Sequence, residues 1–170
     1  MSSHFFLRLV AAGLLVLVAA GCATLQKGSH QRVPIDSEPA GAQVYINREL
    51  AGETPMVAIL SRRSGHLVEI RKAGFDNHRV DVLPVPNRRD GAFVRFSSDD
   101  HTGALNDLRP SRVWVALRPG LLPAGRGANP EAEKEAKLAE ALSLRDAGRY
   151  SEKDYEYVVR RIEEFYLRGR

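Results

Sequence analysis

Residues 35–75 constrain this chain more than any other stretch. Apolar and polar residues alternate there in short runs, and each run is cut by glycine or proline at Pro39, Gly41, Gly52, Pro55, Gly65 and Gly74. A period of two places Val44 and Ile46 on one face with Tyr45 and Asn47 on the other, and sets Val68 and Ile70 against Glu69 and Arg71. No helix survives that punctuation. The stretch predicts short strands joined by tight turns.

The same reading, continued, predicts strands over residues 32–36, 43–47, 56–60, 66–72, 78–83, 92–96 and 112–117. Leu83, Pro84, Val85 and Pro86 form an extended piece outside any ladder, because proline has no amide to donate. Residues 97–110 read as a polar loop and 119–130, rich in glycine and proline, as a linker. Beyond it the periodicity changes to that of helices. Leu138, Ala141 and Leu142 form one apolar stripe, and Tyr155, Val158, Val159, Ile162 and Tyr166 a second. Between them Gly148 suits a helix C-cap, Ser151 an N-cap, and Asp154 the acidic position of a capping box. The fold class expected is mainly β: a small antiparallel β-sandwich at residues 32–118, then a two-helix hairpin at 131–168. Two helices of that size bury too little to stand alone, so they need a surface, either the sandwich or a second copy of the chain.

The ordered series Pro39, Gly41, Ala42, Val44, Tyr45, Ile46, Gly52, Thr54, Pro55, Gly65, Gly74 and Phe75 resembles the PEGA domain, a small β-sandwich module of envelope proteins. Asn47 and Arg48 stand where that family has an Asp-Gly turn, and Arg48 is a poor fit to a left-handed backbone. Residues 138–165 resemble the short C-terminal domain called SHOCT, through the run Leu144, Arg145, Asp146, Ala147, Gly148, the hydroxyl cap, and the pair Asp154 and Tyr155. It departs from that pattern at Arg149 and Tyr150, where aliphatic residues are usual. These resemblances imply an envelope protein that binds or braces a polysaccharide or protein. The SHOCT resemblance implies an alternative, a scaffold or accessory subunit that oligomerises or docks through the hairpin. Tyr155, Val159, Ile162 and Tyr166 would carry that docking.

The N-terminus reads as an export signal over residues 1–21. Arg8 precedes an uncharged apolar run, and Ala19, Ala20 and Gly21 are small residues before Cys22. That run is too short to span a bilayer. Cys22 is the one cysteine of the chain, so no intramolecular disulfide forms. Its setting resembles a lipobox, which implies acylation of Cys22 by chains such as palmitate, a bacterial outer-membrane lipoprotein on the periplasmic face, and a tether at residues 22–31. Charge is modest and unevenly placed: residues 23–129 hold 15 basic and 11 acidic side chains, residues 130–170 hold 9 and 10. Such a balance favours anionic surfaces only mildly, and export leaves no route to nucleic acid.

For chemistry, the sequence points away from an enzyme. Asp99, Asp100 and His101 lack a further ligand at metal spacing, and His30, His66 and His78 are scattered, so no metal or cofactor is expected. Ser61 and Ser64 beside His66 are explained by a hairpin turn. The candidate ligand contacts are Arg62 and Arg63 in one turn, Arg88 and Arg89 in another, and Trp114, an indole that either fills the core or stacks on a sugar ring.

Overall fold

The computed structural model describes residues 28–87 and 103–167. Its elements are strands β1 (His30–Glu38), β2 (Gln43–Ile46), β3 (Glu49–Glu53), β4 (Met56–Ser61), β5 (His66–Arg71), β6 (His78–Pro86), β7 (Asn106–Arg109) and β8 (Val113–Ala116), then helices α1 (Pro130–Asp146) and α2 (Glu152–Leu167). The strands form two sheets, ordered β4-β1-β8 and β3-β2-β5-β6-β7. The expected mainly β sandwich with a C-terminal helical hairpin is therefore the fold. One pairing departs from the antiparallel expectation: β1 and β8 run parallel, Ile35 opposite Val113 through Glu38 opposite Ala116. Parallel neighbours need a long connection, and these two are separated by most of the β region.

By compactness the described chain divides into two units. The smaller holds the described parts of Met1–Gln31, Ile59–Gly65 and Leu83–Arg109; the larger holds Arg32–Ala58, His66–Val82 and the described residues from Pro110 onward.

In the smaller unit two expectations are corrected. Residues 83–86 lie within a ladder, Leu83 opposite Arg109 through Pro86 opposite Asn106, so part of the supposed loop is a strand. The prolines are tolerated for a geometric reason. The amide of Asn87 donates to Leu105 O at 2.8 Å, and by alternation residues 83 and 85 face the same way. The amides that Pro84 and Pro86 lack would point to the opposite edge. The strand expected at 92–96 lies outside the described residues.

In the larger unit Val33, Ile35, Val44, Val68, Ile70, Val113 and Val115 are buried, as the period of two requires. A polar clasp closes one edge of this core. Ser37 and Thr54 hydroxyls meet at 2.6 Å, Ser37 Oγ donates to Pro39 O, and Thr54 Oγ1 accepts the amide of Ala42. Between β2 and β3, Asn47 and Arg48 form a two-residue turn with φ of 53° and 76°, so Arg48 does adopt the left-handed backbone. Asn47 imposes this. Its amide donates to Leu67 O at 2.8 Å and its Oδ1 accepts from Leu67 N at 3.0 Å, which ties the turn to β5.

The hairpin is capped as expected. Ser151 Oγ accepts the amide of Asp154, and Gly148, at φ 70°, ends α1. The amides of Gly148 and Arg149 bond back to Arg145 O and Leu144 O in a Schellman pattern. Its packing surface is the chain's own sheet. Tyr150 and Tyr157 set their rings 5.9 and 6.0 Å from that of Phe75, Tyr150 Oη donates to Gly74 O at 3.1 Å, and Tyr157 Oη donates to Leu117 O at 2.8 Å. The expected linker takes part as well: Pro119 bridges to Phe75, and Leu122 is buried.

Gly74 is required twice over at this joint. Its φ is 83°, and a Cβ there would lie 2.3 Å from Tyr150 Cε1. Gly74→Ala is expected to destabilise the protein by roughly 3 kcal/mol, from overpacking plus left-handed strain. In a Tyr150→Ala background the same change is expected to cost only about 1 kcal/mol, the strain alone. Urea unfolding of the four proteins measures both; an equal cost in the two backgrounds would refute the joint.

Candidate functional site

Strands β2, β3 and β5 carry a polar row on the face of the larger unit opposite Val44 and Ile70. Gln43 pairs with Glu53 on one side and with Arg71 on the other, and one step along Tyr45 pairs with Glu69. Val44 and Ile70 are fully buried, so alternation turns Gln43, Tyr45, Glu69 and Arg71 outward. Lys72, Ala73 and Asn77 from the turn after β5, with Gly41, complete an open cavity of about 460 Å³ around Gln43, Glu53 and Arg71.

Several groups in and beside this groove are held by one another. The Arg71 guanidinium lies 4.4 Å from the centre of the Tyr45 ring, donates from Nη2 to Glu69 at 2.6 Å, and leaves Nε buried without a hydrogen-bond partner. Glu69, only 4% exposed, also receives Arg79 Nε at 3.0 Å. Tyr45 Oη donates to Gln43 Oε1, which leaves the Gln43 amide hydrogens to donate elsewhere. Lys72 Nζ is fixed between Ala40 O at 3.0 Å and Asp154 Oδ1 at 3.3 Å. The row thus presents donors from Arg71, Gln43, Lys72 and Asn77 beside one acceptor carboxylate, Glu53, and an aromatic ring. That is a set for hydroxyl and amide groups.

Residues 30–91 match the family model of the PEGA domain. No curated protein and no solved structure matches the chain. Every residue lining the groove falls inside the PEGA match, whereas β7, β8 and both helices lie beyond it.

The residues expected as ligand contacts fare differently. Arg62 is 9% exposed and committed within the smaller unit: Nη1 donates to Asn106 O and Asp107 Oδ1, both at 2.7 Å, and Nε to His30 O at 3.2 Å. Arg63 is exposed, while Arg88 and Arg89, like Asp99, Asp100, His101 and Cys22, lie outside the described residues. Trp114 is 57% exposed between buried Val113 and Val115, so it is not core. Among the expected docking residues, Ile162 and Tyr166 are buried within this chain and Tyr155 and Val159 half-buried. Among the described residues no group of three or more His, Cys, Asp or Glu gathers to hold a metal.

The hydrogen bond from Arg71 is the main reason the Glu69 carboxyl is held below its ordinary value of 4.5; burial opposes it, and Arg79 adds to the lowering. A depressed carboxyl stabilises the fold above its unfolded value, and that contribution is lost as pH falls through the folded value. Thermal midpoints measured from pH 6 downward are therefore expected to drop below about pH 4.5, and less steeply in Glu69→Gln. Parallel curves would show that Glu69 is not held this way.

Proposed function

We propose that this protein is a non-catalytic, lipid-anchored envelope protein whose PEGA-matched residues bind an envelope polysaccharide. The observation that carries the reading is the groove lined by Gln43, Glu53 and Arg71, inside the match, which sets donors beside one carboxylate, with the Tyr45 ring next to Arg71. Sugars are bound by such mixtures: the ring offers an apolar face to C–H groups, and prealigned side chains take the hydroxyls without an ordering cost. Trp114, an exposed indole opposite Asp36, which pairs with Arg112 at 3.9 Å, offers a second face of the same chemistry. The family is one of envelope proteins, which agrees with the export signal read at residues 1–21.

Retention on purified peptidoglycan is the direct test. The paired change Tyr45→Ala with Arg71→Ala is expected to lower retention about tenfold, since an aromatic or charge-assisted contact contributes on the order of 1–3 kcal/mol. Circular dichroism controls for folding. Undiminished retention removes the groove from the proposal, and Trp114→Ala then tests the other face.

The anchor has its own test. Fed a clickable palmitate analogue, cells expressing the full chain are expected to label it, and to label Cys22→Ser not at all. Equal labelling of the two refutes acylation at Cys22.

A further inference from the structure

A second cavity in the larger unit, between the chain after β8 and helix α2, is lined by three guanidinium groups. Arg118, Arg126 and Arg161 surround about 210 Å³ together with Leu122, Phe165 and one carboxylate, Glu164. At ~30 Å³ per water this is room for roughly seven water molecules. The three cations are fixed by different means. Arg118 Nη1 donates to Asp76 at 2.8 Å and its Nη2 to the carbonyls of Leu122 and Pro123. Arg126 donates through Nε and Nη2 to Phe165 O and stands 5.5 Å from the Phe165 ring. Arg161 Nη1 donates to Glu164 Oε2 at 2.6 Å.

Two features of this cluster ask for an anion. Arg161 Nε is buried with no hydrogen-bond partner, and a buried donor left unmade is costly enough that such groups are rare. Asp76 and Glu164 offset Arg118 and Arg161, whereas Arg126 enters no ion pair among the described residues, so positive charge remains in excess. We propose that this cavity binds a phosphate group, with Arg161 and Arg126 as its main donors. Guanidinium groups suit the oxygens of a phosphate, and the N–H groups of Arg126 and Arg161 not engaged by Phe165 O and Glu164 are the donors available to it. Leu122 and Phe165 give the apolar lining that an esterified group carries with it. A phospholipid headgroup and free phosphate share this chemistry.

The full chain in detergent micelles, titrated calorimetrically with inorganic phosphate, tests the site. Binding is expected to weaken at least tenfold in Arg161→Gln and to tighten several-fold in Glu164→Gln, which removes the competing carboxylate; a side chain that only held the fold would not tighten anything. A second arm uses phosphatidylcholine vesicles with and without phosphatidic acid. It is read as the difference between wild type and Arg161→Gln, so other membrane affinity cancels. An Arg161-dependent signal with vesicles alone assigns the headgroup, and one with phosphate assigns the free anion. Failure of both probes to bind, or binding indifferent to both substitutions, overturns the proposal.

Discussion

The contact of Tyr150 with Gly74 and Phe75 is the one on which the larger unit depends. It is where a helical hairpin too small to be stable alone meets the sheet, and it works through two aromatic ring pairs and two phenol hydroxyls. Ring pairs of this geometry contribute about 0.5–1.5 kcal/mol beyond the area they bury. Burial pushes both phenols up, so they remain protonated donors to the carbonyls of Gly74 and Leu117 throughout the neutral range. Ion pairs flank it: Lys72 with Asp154, largely buried, and Arg160 with Glu38, which lies in solvent and adds less.

Arginine serves three distinct ends in this chain. Arg62 is an internal strut of the smaller unit; Arg118 holds two carbonyls of the chain after β8; Arg71 and Arg145 stand over the rings of Tyr45 and Tyr155 at 4.4 and 4.7 Å. What separates these roles is the acceptor each guanidinium finds, and for Arg62 and Arg118 an acceptor comes from residues remote in sequence. Arg62 is answered by Asn106 and Asp107, and Arg118 by Asp76. A count of basic residues says nothing of this.

For that reason the fold was more legible than the site. Alternation at β2 and β5, the caps at Gly148 and Ser151, and the hairpin punctuation are local signals, and the strands and helices follow them. The failures were also local, in that each judged a residue by its type alone. By type Pro84 and Pro86 break a ladder, although a proline harms only the edge its amide would face. By its own preference Arg48 avoids the left-handed backbone, although Asn47 and β5 set the turn. Tyr150, a departure from the SHOCT pattern, is the residue that docks the hairpin. The groove had a visible signal in the outward alternation of Tyr45 and Arg71. The arrival of Asn77 and Lys72 beside them, after a turn, had none.

The parallel pairing of β1 with β8 bears on how the chain acquires its shape. Val113 to Ala116 are made long after Ile35 to Glu38, and until they arrive one side of β1 is an open hydrogen-bonding edge. Closing so long a loop is entropically slow, and Phe75 meanwhile lacks both Pro119 and the tyrosines of the hairpin. The segment that carries the PEGA signature is therefore shorter than the segment that folds. An excised piece ending near residue 91 would leave β1 open to strand pairing between molecules, so heredity and cooperativity draw different boundaries on this chain.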